Sequence, residues 1–102
     1  MSTVEIKLSL VNGPPKTVRC DPSRVELDVG DILHFRTDDS PVAAVNAEVH
    51  GVARFDAHAA QALFEDFLAV TSGEFRFGAT LTLKDGTVVL WKPNAGGDGI
   101  VH

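Results

Sequence analysis

Alternating apolar and polar residues run through most of the chain and predict short β-strands. The run TVEIKLSLV near the start places apolar side chains at every second position, from Val4 to Leu10. The segments 24–29, 31–37 and 45–50 repeat this alternation. A period of two residues is typical of strands with one face buried and the other in water. Turn-forming stretches (NGPP, DPS and TDDSP) separate the runs, so we predict a mainly β protein.

Two of these runs meet at Gly30–Asp31, within the stretch RVELDVGDILHFRTDD. Glycine adopts positive φ without a Cβ clash, which suits it to tight turns and bulges. We therefore predict that this pair joins two consecutive strands.

The pattern changes at Asp56, and residues 57–69 predict one α-helix. The segment DAHAAQALFEDFLA is rich in helix formers, and Asp56 is a suitable N-cap. Five apolar residues recur at helical spacing along one stripe: Ala60, Leu63, Phe64, Phe67 and Leu68. The stretch TSG is expected to end this helix.

A hairpin is predicted after the helix, with Asp85–Gly86 as a two-residue type I′ turn. Such a turn pairs Leu83 with Val88 and Leu81 with Leu90, so that both strands present apolar residues on one face. The opposite face then carries a set of candidate interface residues, namely Thr80, Thr82, Val89 and Trp91. We expect Trp91 either to anchor a partner or to lie buried under a loop or the helix.

The length of 102 residues fits a single domain, so residues 1–102 are assigned to one unit. The glycine-rich segment 94–102, NAGGDGIVH, is interpreted as a candidate flexible tail or as a turn into a last short strand. A phosphate-binding loop would need a helix after its glycines, and too little chain follows for one.

Charge and hydrophobicity narrow the classes of partner. Nine Lys and Arg residues against fourteen Asp and Glu give a net charge of −5, and the basic residues are scattered singly. Nucleic-acid binding is therefore not expected. No apolar run reaches membrane-spanning length, and the N-terminal segment lacks the apolar stretch of a signal peptide. We predict a cytoplasmic protein, although a mature exported form with an added Met would look the same.

The stretch around Gly30–Asp31 resembles the cupredoxin pattern, with Val25 and Leu27 before the turn and Leu33 and Phe35 after it. The segment Phe75-x-Phe77-x-Ala79 is similar to the strand that leads to the copper loop in that family. The pattern of six or seven short strands with one helix predicts a β-sandwich or a partly open barrel. With the resemblance added, we predict a cupredoxin-like or immunoglobulin-like sandwich of about seven strands with one helix. Ala79 stands where the family has its copper-ligating Cys, so the resemblance implies a version without copper.

No convergent set of chemical residues is found in the sequence, and no enzyme activity or cofactor is expected. Cys20 follows Arg19, which would lower its pKa, but a small residue at a strand end also fits simple packing. The leading hypothesis is therefore a non-catalytic binding or assembly module that uses a protein partner or self-association. The alternative is a metal-binding protein in which histidines combine with carboxylates, the weak candidate ligands being His34, His50 and His58.

Overall fold

The computed structural model describes residues 2–91 and 96–102, which contain ten β-strands. In chain order the strands are β1 (Thr3–Val11), β2 (Thr17–Asp21), β3 (Arg24–Leu27), β4 (Ile32–Arg36), β5 (Val42–Gly51), β6 (Phe55–Gln61), β7 (Phe64–Ala69), β8 (Gly73–Leu83), β9 (Val88–Val89) and β10 (Gly97–Val101). No α-helix occurs in these residues, and none therefore has the length and hydrophobicity needed to cross a membrane.

The strands form two mixed sheets of five strands each. The first sheet has the order β2-β1-β4-β7-β6. The second sheet has the order β3-β10-β8-β5, with the short β9 paired to β8. The pairs β1–β4 and β3–β10 are parallel, whereas the other strand pairs are antiparallel. Because parallel neighbours need long connections, each sheet joins segments that are distant in the sequence.

One hydrophobic core joins the two sheets. Phe35 of the first sheet meets Phe77 of the second edge to face, with their ring centroids 5.7 Å apart. Phe67 also packs on Phe35, with ring centroids 5.8 Å apart, and the centroids of Phe55 and Phe75 are 4.9 Å apart. Edge-to-face pairs add to the free energy that burial of the rings already supplies. The two sheets thus pack through their inward faces, an arrangement consistent with a β-sandwich.

The helix expected over residues 57–69 is wrong, because this segment forms the hairpin of β6 and β7. Strand β7 lies between β4 and β6 and pairs with both. Its alternation turns Phe67 and Ala69 into the core, while Phe64 and Leu68 lie on the outer face. The helix preference of the alanines amounts to a few tenths of a kcal/mol per residue, which packing and pairing to β4 override.

The predicted register of the β8–β9 hairpin is also wrong by one residue. Leu81 pairs with Val89, and the Leu83 N–H donates to the carbonyl of Thr87. The loop therefore has three residues, 84–86, and ends on Gly86 at φ 91°. Three-residue loops of this kind close with a left-handed glycine rather than a type I′ pair. The extra residue turns Val89 into the core, where it is 3% exposed.

Gly30 has φ 94°, and its turn joins β3 of the second sheet to β4 of the first, as the sequence predicts. The carboxylate of Asp31 secures the turn by accepting the backbone N–H groups of Ser2 and Asp28, each at 2.9 Å. These hydrogen bonds favour the ionised form and lower the pKa of Asp31, the bond from Asp28 contributing most.

We expect Asp31→Asn to lower stability at neutral pH and to weaken the loss of stability in acid. Because the folded-state pKa is below that of the unfolded chain, the carboxylate stabilises the fold above about pH 4. This contribution disappears as pH falls through the lower folded-state pKa. Urea unfolding at about pH 7 and about pH 3 measures both effects. The neighbouring Asp28→Asn makes the same change of charge, and an equal effect from that variant would contradict the role given to Asp31.

Candidate functional site

Four charged or titratable side chains cross the outer face of the second sheet in one row. Pairing places Arg24 of β3 beside Asp98 of β10, Asp98 beside Arg76 of β8, and Arg76 beside His50 of β5. All four residues are exposed. The Arg24 guanidinium lies 3.2 Å from the Asp98 carboxylate. Neighbours on adjacent strands lie within side-chain reach, so the row offers hydrogen-bond donors and an acceptor side by side.

A groove of about 520 Å³ opens along this row. The row residues form one part of its lining, and Trp91, Gly96 and Gly97 form another. We call this feature the Trp91 groove. An aromatic side chain, exposed backbone and a few polar groups are the usual components of a small-ligand site.

The indole of Trp91 packs directly on the backbone of Gly78 in β8. A Cβ added at Gly78 would lie 2.2 Å from Cδ2 of Trp91 and 2.4 Å from Cε2, so only glycine leaves room for the ring. Trp91 remains partly exposed, although it also contacts the edge of the hydrophobic core. One wall of the groove is therefore the Trp91 indole, which is held against strand β8. Glycine inside a strand often marks such a close approach, and this is the signal that sequence reasoning missed.

The other candidate interface residues are divided between two faces. Thr80 and Thr82 lie half-buried on the outer face of β8, on the same side as Gly78. Val89 lies in the core because of the shifted hairpin register. The face that the sequence assigned to these residues thus retains the two threonines and Trp91 but excludes Val89.

The candidate metal ligands lie on separate strands. His34 is on β4 and His58 on β6 of the first sheet, whereas His50 is on β5 of the second sheet. His50 lies 3.4 Å from the carboxylate of Glu48. Across residues 2–91 and 96–102, no three side chains of His, Cys, Asp or Glu come together as a metal site would require.

A pair of His34 and Asp66 on the outer face of the first sheet was not foreseen. Register places Asp66 of β7 opposite His34 of β4, and the Asp66 carboxylate hydrogen-bonds Nδ1 of the imidazole. The ring of Phe64 packs beside the imidazole, with centroids 5.3 Å apart. The pair fixes the orientation of the imidazole on this face. No sequence signal pointed to it, because the helix prediction placed Asp66 on a solvated surface.

The surroundings of Cys20 indicate a packing role rather than a reactive one. Burial raises the pKa of the Cys20 thiol to about 11, which keeps it protonated and weakly nucleophilic at neutral pH. The lowering of the Cys20 pKa that the sequence suggested, through Arg19, is therefore not seen.

The consecutive carboxylates Asp38 and Asp39 both have partners within the protein. Asp39 accepts the backbone N–H of Leu10 at 2.6 Å, and Asp38 lies 3.6 Å from the Lys7 ammonium.

The Trp91 groove is therefore the surface on which an aromatic wall and charged groups converge. No protein-family model matches the chain, and no curated protein matches its sequence.

Proposed function

We propose that the protein is a non-catalytic binding module whose ligand occupies the Trp91 groove. The observation that carries this proposal is the partly exposed indole on Gly78, beside the row from Arg24 to His50. An aromatic ring that is already held in place loses little conformational entropy when a ligand stacks on it. The raised pKa of the buried Cys20 thiol makes this residue a poor nucleophile.

The ligand class that fits these groups best is a carbohydrate. Sugars present an apolar C–H face, which suits an indole, and hydroxyl groups that both donate and accept hydrogen bonds. Arg24 and Arg76 supply donors along the groove, and Asp98 supplies an acceptor between them. Charges of both signs within one row favour a neutral polar ligand over a highly charged one.

Saturable binding of a neutral oligosaccharide is expected, and Trp91→Ala should weaken it by about 30-fold or more. Trp91 is the only tryptophan in the sequence, so intrinsic fluorescence of the wild-type protein reports on the groove directly. A panel of neutral mono- and oligosaccharides is titrated by fluorescence, and the variants are titrated by calorimetry. Leu90→Ala is the matched control, because Leu90 is the adjacent residue and is 66% exposed.

A second variant, Gly78→Ala, keeps the Trp91 ring but should move it, and so tests whether the position of the ring matters for binding. The new methyl group would overlap the indole, so it should displace Trp91, shift its emission and weaken binding while every polar group of the row is kept. The proposal is overturned if no sugar in the panel produces a saturable signal. It is equally overturned if Trp91→Ala binds as tightly as Leu90→Ala.

We further propose that the fold is a cupredoxin-like sandwich without copper and that the protein acts in the cytoplasm. The Gly30 turn between β3 and β4 supports the first proposal, as does the packing of Phe35 on Phe77 between two sheets. Ala79, at the position of the copper-ligating Cys in that family, is fully buried in the core.

A further inference from the structure

Four strands end the two sheet orders, apart from the two-residue β9, which pairs with β8. Three of these four strands carry features that oppose pairing with another chain. Strand β2 bears Arg19 and Asp21 and is followed by Pro22. Strand β3 has only four residues. Charged side chains, proline and short length are recognised ways of protecting a sheet edge.

The edge of β5 is covered by the tip of the β6–β7 hairpin. The Val45 N–H donates to the carbonyl of Ala62, and the Ala47 N–H donates to the carboxylate of Glu65, both at 2.8 Å. These bonds satisfy backbone groups that would otherwise face outward from the second sheet.

Strand β6 is the edge that remains open. Its seven residues, Phe55–Gln61, contain no Lys, Arg or Pro, and the last six are all exposed. Three of them are alanines, whose methyl groups leave the edge accessible to another backbone. Unpaired N–H and C=O groups along such an edge form a template for a further strand.

The bulge in β6 makes this strand complementary to itself. Pairing with β7 changes register between Ala57 and Ala59, so that Ala57 and Ala60 both lie opposite residues of the inner face. Asp56 and Gln61 both lie opposite residues of the outer face. In an antiparallel pairing of two copies, Asp56 can therefore oppose Gln61 and Ala57 can oppose Ala60, with each pair on one face.

We propose that β6 pairs with β6 of a second copy of this chain, which joins two first sheets into one of ten strands. The two-fold axis passes between His58 and Ala59, and the same contacts occur twice, as a two-fold interface requires. The Gln61 amide of each copy donates to the Asp56 carboxylate of the other. Asp56 is the only carboxylate that each copy brings to this seam, although each chain carries a net charge of −5.

The size of the seam sets the strength of association. A pair of seven-residue strands with alanine side chains buries less than the roughly 1,200 Å² of a standard stable interface. The dimer is therefore weak and depends on concentration, with a dissociation constant in the micromolar to millimolar range, on the order of 10⁻⁵ to 10⁻³ M.

Two substitutions that add the same charge should have opposite effects on this dimer. Gln61→Lys places an ammonium opposite Asp56 of the other copy and should lower the dissociation constant about fivefold. Ala60→Lys places the same charge on the inner face opposite Ala57 and should raise it about tenfold or more. Val52→Lys adds the charge in the connection before β6, outside the paired residues Asp56–Gln61, at a residue that is 77% exposed, and should leave association unchanged.

Sedimentation velocity from about 10 µM to about 1 mM protein measures all four chains. The proposal is supported if the wild type forms a dimer that Gln61→Lys strengthens, Ala60→Lys weakens and Val52→Lys leaves unchanged. Monomeric behaviour of both wild type and Gln61→Lys at the highest concentration overturns it. A dimer that Ala60→Lys does not weaken places the contact on another surface and overturns it as well. Because β6 and the Trp91 groove lie on different sheets, this result is independent of the sugar titration.

Discussion

Replacing Phe35 by alanine is expected to lower the free energy of unfolding by about 3–5 kcal/mol. The Phe35 side chain is fully buried, and its ring contacts Phe67 in its own sheet and Phe77 in the opposite sheet. Truncation removes both edge-to-face contacts and leaves a cavity where the two sheets meet. Since small domains have total stabilities of about 5–15 kcal/mol, this single change would consume a large share.

Guanidinium unfolding measures this loss, with Leu90→Ala as the control. Leu90 is 66% exposed, so its truncation should change stability by no more than about 0.5 kcal/mol. If Phe35→Ala does not fold, Phe35→Leu keeps most of the volume and should cost about 1–2 kcal/mol. A loss below about 1 kcal/mol for Phe35→Ala would contradict the shared core of the two sheets.

Gly97→Ala is expected to destabilise the fold by about 3 kcal/mol or more, although it adds only one methyl group. A Cβ at Gly97 would lie 2.1 Å from Cζ of Phe77 and 2.5 Å from the carbonyl oxygen of Ser23. That carbonyl accepts the Asp98 N–H, so it cannot move without disturbing the contact between β10 and the start of β3. The phenyl ring cannot yield either, because Phe77 is buried in the core.

Gly13→Ala provides the matched control for this experiment. The nearest atom to a Cβ at Gly13 is the carbonyl oxygen of Pro15, at 3.8 Å, which is an ordinary van der Waals distance. We therefore expect a change within about 0.5 kcal/mol for this variant. Adding Phe77→Leu to Gly97→Ala should recover part of the loss, because the shorter side chain relieves one of the two contacts. Equal effects of Gly97→Ala and Gly13→Ala would contradict the close packing of β10.

The features that the sequence predicted well are those encoded by neighbouring residues. The alternation from Val4 to Leu10 specifies β1, because burial of one face needs only a period of two. The turn at Gly30 follows from the conformational freedom of a single residue between two such runs. Local patterns therefore sufficed for most strands and for the class of fold.

The features that the sequence did not predict depend on contacts between distant segments. The segment 57–69 has helical periodicity in its sequence. It forms a hairpin because β7 pairs with β4 on one side and with β6 on the other. The glycines of segment 94–102 left a flexible tail and a turn into a short strand as alternatives, and residues 97–101 form strand β10. The sequence did not predict that Gly97 and Gly99 provide the space for the rings of Phe77 and Phe75. Residues 94 and 95 of the candidate tail lie outside the described residues.

In the candidate site, too, local sequence patterns predicted one part and contacts between distant segments determine the other. A lone tryptophan on the outer face of a predicted strand drew attention to Trp91, since that inference needs only the alternation. The charged row was not foreseen, because it depends on the parallel pairing of β3 with β10. Arg24 and Asp98 are 74 positions apart in the chain, and no local pattern relates them.

The central position of β10 in the second sheet also has a consequence for the order of folding. Strands β3 and β8 have no common neighbour until β10 inserts between them. Contacts between such distant segments are slow to form, because a long loop must close before any of them is gained. During synthesis, the chain must therefore keep the apolar faces of β3 and β8 from aggregating until β10 emerges. The Trp91 groove, which is lined by Gly97 and Asp98 of β10, can form only once β10 is in place.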